Sequence, residues 1–532
     1  MSGKGNWSGE MSHVSSEKEA DVLLSNINAA KGVADIVRTS LGPCGLDKLV
    51  VSAEGDVLIT NDGATIMDKI AARHPAARML VELSRSQDIE AGDGTTTVVV
   101  LAGAILNSCL RLFKLGIHPM TISSAFQLAE DEAQRILLDV MAKPVDIQDR
   151  DLLIKLATTS LASKVISAHS DKLAPVAVDA VMKIVDPAMP ENVDLNNIKI
   201  HRRLGGTVRD SEIVDGVVFT RGLYHASNAP KFVENPKIGL IKFCISPPKT
   251  DMDSSVIVGD SAALDRVLRQ ERQYILNMCK TVRKTGCNVL LVQESTLRDA
   301  VSDLALHFFA KMKIMVIKNV ARDQVDFISA ATGAVPVATL DHFTADKLGS
   351  AKVAKIEENI ARILECNPRE GARKTCSVLV RGSNKLVLDE ADRSLHDAMC
   401  VIRALVKKPH LVPGGAAVET ELSRRLATYA RTLEGMEQFC VKAYAEAFEV
   451  IPVTLAENAG LNPVVTMTNL RAQHATGGDE GVFMGINIKK GSIVNMLELD
   501  VMQPLLVSSS AIALATETVR MILKIDSVIM AR

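Results

Sequence analysis

The 532-residue chain has few aromatic residues: one Trp, four Tyr and twelve Phe make 3% of it. That scarcity argues against platforms that stack the bases of single-stranded nucleic acid. Charge of one sign is also lacking. Sixty-one Lys and Arg face 63 Asp and Glu, a net of −2, so no broad field advertises nucleic acid or an anionic membrane. The nine cysteines are odd in number and scattered, with no C-x-x-C and no H-E-x-x-H, so neither a disulfide framework nor a zinc site is signalled. They read as small buried hydrophobes of a reducing compartment. No apolar core is found within Met1–Ala20, so no secretory signal is expected. The longest uninterrupted apolar run, Val98–Leu106, is about half of what a membrane span requires. Neither G-x-x-x-x-G-K-[ST] nor G-x-G-x-x-G occurs, which removes the main support for P-loop and Rossmann readings. A soluble cytosolic protein is the expectation.

What is present is a large core of aliphatic residues: 47% of the chain is apolar and 23% charged, and the length suits about three domains. Leu23, Ile27, Ala30, Ala34, Val37 and Leu41 recur in steps of four and three, one face of a helix that stops at Gly42-Pro43. Leu49–Val51 and Val57–Thr60 read as a hairpin, and another helix begins at Pro119. The middle third alternates. Gly239–Ile245, Asn288–Gln293, Lys313–Lys318 and Val335–Leu340 read as strands, with Thr296–Lys311 and Arg322–Thr332 as helices between the last three. That order predicts a small α/β domain with parallel pairing. The polar stretch Ser246–Asp253 cannot be core, and the narrow stripe over Ala262–Val282 predicts a projecting helical arm. Cys376–Arg381 reads as a strand, Leu388–Leu405 as a helix, and Ser527–Met530 as a final strand.

Three loops in the first hundred residues carry chemistry: Leu41-Gly42-Pro43-Cys44-Gly45, Asn61-Asp62-Gly63-Ala64-Thr65 and Gly92-Asp93-Gly94-Thr95-Thr96-Thr97. The last opens an apolar helix, so the amides of Gly94 to Thr97 are free at a helix N-terminus, a natural phosphate site. A carboxylate beside a phosphate calls for a cation between them, and Mg²⁺ with Asp93 and Asp62 suits that chemistry. Each loop alone also reads as an ordinary turn. Three in order, with hydroxyls clustered on the last, favour a nucleotide. Pro413-Gly414-Gly415-Ala416 is a further loop that enters a helix near Val418.

These strings resemble the group II chaperonins, the family of the thermosome and the eukaryotic cytosolic chaperonin TRiC/CCT. The resemblance runs nearly end to end, through His74–Arg78, Ala157–Leu161, Glu457–Pro463 and Ala515–Thr518. Four further strings, Pro248–Asp253, Gly286–Leu291, Asp303–Phe308 and Gln503–Val507, resemble one subunit type in particular. The resemblance implies a multi-domain α plus α/β fold. A helical equatorial ATP-binding domain (1–150 and 408–532) would be joined by an intermediate hinge domain (151–217 and 373–407) to an apical α/β domain (218–372), with a lid protrusion near 247–282. It implies an ATP-hydrolysing subunit of a hetero-oligomeric double ring of paralogous chains, which encloses unfolded clients, actin and tubulin among them. Neither nucleic acid nor membrane is an expected partner.

The resemblance also implies site residues. Asp93 would bind Mg²⁺ with Asp62 close by, while Gly42, Pro43, Gly94, Thr95, Thr96 and Thr97 approach the phosphates of ATP or ADP. Asp397 would position or activate the attacking water, with Asp62 in support. Ala162, Ser163 and Lys164 would form a nucleotide-side loop, with Gly414, Gly415 and Gln503 on the nucleoside side. Without the family, Asp397 reads as a solvated carboxylate at a helix edge. Cys44, Ala416, Gln503 and Ser508 depart from the commonest family residues, and Ala162 from the one common in its subunit type; altered nucleotide affinity is the expected result. The helix Thr296–Lys311 matches one that lines the chamber mouth in relatives, although Asp299, Asp303, His307 and Lys311 also read as a solvated face. The strand-like segments Val57–Thr60 and Val528–Met530 are candidates to pair with a neighbouring subunit. Two other readings compete: a scaffold that binds nucleotide weakly, and a stand-alone kinase or ATPase. The three aspartates speak against the first. The long polar arm, with no signature of a second substrate pocket, speaks against the second.

Overall fold

The computed structural model describes residues 16–527, apart from 52–54, 56, 71, 165, 187, 188, 190, 191, 224–228, 248–258, 297 and 369–372. The chain divides into two units: Met1–Ala174 with Ser394–Arg532, and Pro175–Arg393.

The first unit is helical and draws its core from both ends of the sequence. The Thr95–Lys114 helix is central because Val98–Leu106 is apolar and buried on every side, and it packs against helices Ser16–Arg38, Pro75–Glu90, Met436–Ala447 and Leu505–Leu523. Small residues set the spacing: a Cβ on Gly103 would lie 2.5 Å from Ala34 Cβ. The predicted stripe is the buried one, with Leu23, Ile27, Ala30, Ala34, Val37 and Leu41 all in the core. Phe126, Tyr444 and Phe448 form the one aromatic nest of this unit among the described residues, with centroids 5.2 and 5.3 Å apart. The Tyr444 hydroxyl shares a 2.6 Å hydrogen bond with Thr516, which meets its need for a polar partner in the core. The apolar run read as Val98–Leu106 is part of a twenty-residue helix. That helix and Leu505–Leu523 are long and apolar enough to cross a membrane by length and composition. Both are instead core helices packed on each other.

His410–Pro413 pairs antiparallel with Met502–Pro504 on one side and Lys143–Pro144 on the other. The predicted hairpin forms, in the register Lys48↔Thr60 to Val51↔Val57. Its Leu49, Val51 and Val57 are exposed. Val528–Met530, the expected final strand, lies outside the described residues, and Ser527 is not in a strand.

The second unit is α/β. Its larger sheet runs in the order Met315–Val320, Val289–Gln293, Lys237–Ile241, Gly349–Glu357, Ile360–Asn367, Gly216–Phe219, with Phe232–Glu234 beside Gly349–Glu357. The first three strands are parallel, as β-α-β order requires. Two expectations need correction. Val335–Leu340 is not a strand: only Val337 bridges Ile241, and a 3₁₀ turn starts at Leu340. The helix read as Thr296–Lys311 begins at Asp303, because Val301 bridges Ile245 and the Ser302 hydroxyl caps the Ala305 amide at 3.3 Å. Phe309 is core, while His307 lies on the exposed side.

The sequence reading missed the hairpin Gly349–Glu357/Ile360–Asn367, whose two-residue turn holds Glu358 and Asn359 at φ +49° and +65°. A smaller sheet sets Cys376–Gly382 between Ile198–Leu204 and Glu212–Val214. The predicted arm is the helix Ser261–Lys284, buried only at Ile275, Met278, Cys279 and Val282. Its first half projects: Leu264 and Leu268 are 49% and 43% exposed.

Candidate functional site

The three predicted loops converge in the first unit, around the N-terminus of the Thr95–Lys114 helix. Gly94 caps that helix in the left-handed region, φ +74°, which leaves its first amides free of side-chain caps. Asp93 turns back and accepts the Gly94 amide at 2.7 Å. Its carbonyl accepts from the buried Gln87 Nε2 at 2.9 Å, so the Pro75–Glu90 helix fixes this loop from behind. Asp62 caps the Gly63–Lys69 helix: one oxygen accepts the Thr65 amide at 3.0 Å and the Thr65 hydroxyl at 2.6 Å, and the other accepts the Thr95 hydroxyl at 3.3 Å. Asn61 donates to the Ser163 carbonyl at 3.0 Å, which brings the Ala162–Lys164 loop to the same place. Asn458 donates to the Leu41 carbonyl at 2.9 Å and seats the Gly42-Pro43 turn.

Lys164 is the hub. Its ammonium lies 2.5 Å from Asp397 and 3.7 Å from Asp62. Asp397, on the Ser394–Lys407 part of the Lys385–Lys407 helix, is only 7% exposed; the solvated helix-edge reading is therefore wrong. Three carboxylates and one ammonium leave a formal charge of −2 in a poorly solvated place. Burial pushes the Asp397 carboxyl well up and the Asp93 carboxyl up, despite Lys164. Burial would also raise Asp62, yet Lys164 and the bonds from Thr65 and Thr95 hold it below its ordinary value. Lys164 itself would be lowered by burial; Asp397, Asp62 and Asp93 raise it instead.

A cleft of about 630 Å³ opens beside this cluster, within the range of small-molecule sites. Gly42, Pro43, Asp62, Asp93 and Gly94–Thr97 line one part, together with Ala162, Ser163 and Lys164. Gly414, Gly415, Ala416 and Gln503 line another. Gln503 donates to Ser508 at 2.7 Å. Cys44 is exposed and does not line the cleft. Ala416 sits at φ +62°, in the left-handed region, strained for an L-residue.

Sequence reasoning missed Glu419 and the turn Asn487–Lys490, which also line the cleft. The turn belongs to the hairpin Met484–Asn487/Ser492–Asn495, whose Lys489-Lys490-Gly491 was a readable turn signal. Close packing makes the small residues specific. A Cβ on Gly63 would lie 2.7 Å from the Thr96 amide nitrogen and 3.0 Å from the Thr95 carbonyl carbon, both backbone. Gly63→Ala is therefore expected to push the Asp62 cap off the N-terminal end of the Thr95–Lys114 helix. The expected cost is about 1–3 kcal/mol of stability, read by chemical denaturation, with weaker nucleotide binding read by titration.

Residues 33–532 match the TCP-1/cpn60 chaperonin family, and the chain belongs to it. Within that family it is similar to the protein named T-complex protein 1 subunit delta. The human protein of that name is 56% identical over 519 residues, covering 97% of this chain and 95% of the relative. The Arabidopsis thaliana protein is 54% identical over 533 residues, 100% and 99% of the two chains, and the Dictyostelium discoideum protein 53% over 517, 97% and 96%. Delta is the subunit type that the four further strings resembled.

The donor set fits a magnesium nucleotide. Among the described residues no group of three or more His, Cys, Asp or Glu side chains can hold a metal by itself. Mg²⁺ needs no such cage, because one or two carboxylates, phosphate oxygens and water complete its octahedron. The uncompensated carboxylates supply the charge it would balance.

Proposed function

We propose that this chain is an ATP-hydrolysing subunit of a cytosolic, hetero-oligomeric double-ring chaperonin, in which hydrolysis drives lid closure around unfolded clients such as actin and tubulin. The observation that supports this most is the gathering of Asp62, Asp93, Asp397 and Lys164 against the free amide end of the Thr95–Lys114 helix, in a cleft of nucleotide size. The end-to-end similarity to delta subunits supports the assembly. The three-part layout is proposed with it: equatorial 1–150 and 408–532, intermediate 151–217 and 373–407, apical 218–372 with the protrusion near 247–282.

In this reading the amides of Thr95–Thr97 and the Gly42-Pro43 turn receive the phosphates, the Gly94 amide being held by Asp93, and Lys164 pairs with their charge. Asp93, with Asp62 beside it, holds Mg²⁺, which supplies charge neutralisation at the transferring phosphoryl group. Asp397 orients the attacking water and takes its proton; a carboxyl raised by burial is better matched to that task at neutral pH than an ordinary one. Gly414, Gly415 and Gln503 face the nucleoside. The exposed edge of the Leu49–Thr60 hairpin is a surface for a neighbouring subunit.

The experiment is the mass and chain composition of the tagged protein purified gently from its own cells. A particle of about sixteen related but distinct chains is the expected result. A monomer or small dimer would overturn the ring reading.

A further inference from the structure

The Ala417–Ala430 helix begins at the glycine loop of the cleft and, one turn on, carries a carboxylate that no water reaches. Glu421 is 0% exposed and accepts four hydrogen bonds: two from Arg424 (3.0 and 2.5 Å), one from Arg425 (2.6 Å) and one from His474 Nδ1 (3.0 Å). Burial would raise it, but the bonds from His474 and the two arginines hold it down at about 2. His474 stands near the end of the Pro463–Thr476 helix, its side chain also 0% exposed, and its Nε2 lies 2.9 Å from the Met484 carbonyl, where the cleft-lining hairpin begins. A carbonyl and an ionised carboxylate only accept. The ring reaches both partners, one from each nitrogen.

The hairpin is otherwise short, with four-residue strands, and it carries the turn Asn487–Lys490 into the cleft. Its second tie is the Ile486 amide donating to the Gly415 carbonyl at 2.9 Å. There is little slack at that tie, since a Cβ on Gly485 would lie 3.0 Å from the same carbonyl oxygen.

We infer that His474 and Glu421 are positioning residues for the nucleotide site: bridging the Ala417–Ala430 helix to Met484, they fix the height of the Asn487–Lys490 turn over the cleft and thereby tune affinity for nucleotide rather than the chemical step. The inference rests on the proposed nucleotide reading of the cleft. Lys489 and Lys490 are the groups on that turn suited to an anionic ligand. Asp397 and Lys164 belong to other segments, so the turnover of bound nucleotide does not depend on the bridge.

His474→Gln presents a donor to one acceptor and a carbonyl to the other. In the assembled particle its KM for ATP is expected to rise about five- to tenfold with kcat within twofold, and amide exchange over Met484–Asn495 to quicken. Lys490→Ala, at the exposed turn, should raise KM by itself. The same change in the His474→Gln background should add less than it does alone, because two residues acting through one turn are not additive. A fall in kcat at unchanged KM, or unchanged exchange in the hairpin, overturns the inference. Should His474→Gln fail to fold, Lys490→Ala decides: an unchanged KM removes the turn from the site and the inference with it. Failure of the parent protein to bind ATP is a separate outcome, which overturns the nucleotide reading itself.

Discussion

Asp397→Ala is expected to lower ATP hydrolysis by about a hundredfold to ten-thousandfold, the range of a lost general base, while nucleotide binding persists. Asp397 does not line the cleft as Gly94 and Thr95–Thr97 do; it adjoins it beside Lys164, 2.5 Å away. Removing its carboxyl leaves Lys164 within 3.7 Å of Asp62, so the ammonium keeps a partner and the loops keep their seats. The loss should therefore fall on turnover and not on affinity. Phosphate release is the measurement, in particles where this chain is the sole subunit competent for hydrolysis, with bound nucleotide counted in parallel. Unchanged hydrolysis would remove Asp397 from the mechanism. Equal losses of binding and turnover would make it a packing residue.

Lys164→Met should act in the opposite place, on stability. The substitution keeps most of the stem and removes the one cation among Asp62, Asp93 and Asp397, leaving buried carboxylates uncompensated. Breaking a buried pair from one side costs on the order of 3–5 kcal/mol, seen as a lower denaturant midpoint in the absence of Mg²⁺. Burial already raises Asp93 and Asp397 in the parent protein, and loss of Lys164 raises them further. A raised carboxyl binds its proton more tightly in the folded state than in the unfolded one. The deficit of the variant should accordingly shrink as the pH falls from neutral towards the carboxylate range, and Mg²⁺ with nucleotide should restore part of it at neutral pH. A midpoint that matches the parent at every pH would mean that the ammonium carries none of the charge balance assigned to it.

The parts of this site that could be read from sequence were those written in local chemistry. Gly94, Asp93 and the threonines after them declare a free helix end within six residues, and the structure has that end where the loop predicts it. The Ser16–Arg38 helix and its buried stripe were legible because period and burial coincide. What sequence spacing does not carry is long-range charge balance. Asp397 lies one step off an apolar stripe, a position solvated by default, and it is buried because Lys164, more than two hundred residues earlier in the chain, reaches it. Val335–Leu340 had β-branched composition, but only Val337 finds a strand to bridge, and the rest turns away. The hairpin carrying Asn487–Lys490 escaped notice because its first strand, Met484-Gly485-Ile486-Asn487, holds a single β-branched residue.

The first unit is assembled from two stretches separated by Pro175–Arg393. Its core interleaves Ile27, Val37, Leu101 and Phe126 with Tyr444, Phe448, Val519 and Ile522. On the ribosome the early half emerges first, and at about 5–20 residues per second roughly ten to forty seconds pass before the late half begins to appear. Through that interval the sides of the Thr95–Lys114 helix that pack on Met436–Ala447 and Leu505–Leu523 face water, because nothing from the late half is there to cover them. The second unit, contiguous in sequence, can complete itself meanwhile. Synthesis order thus makes the cleft, with walls from both halves, among the last parts of the molecule to exist, and it leaves each newborn chain with an exposed apolar face of its own to shelter.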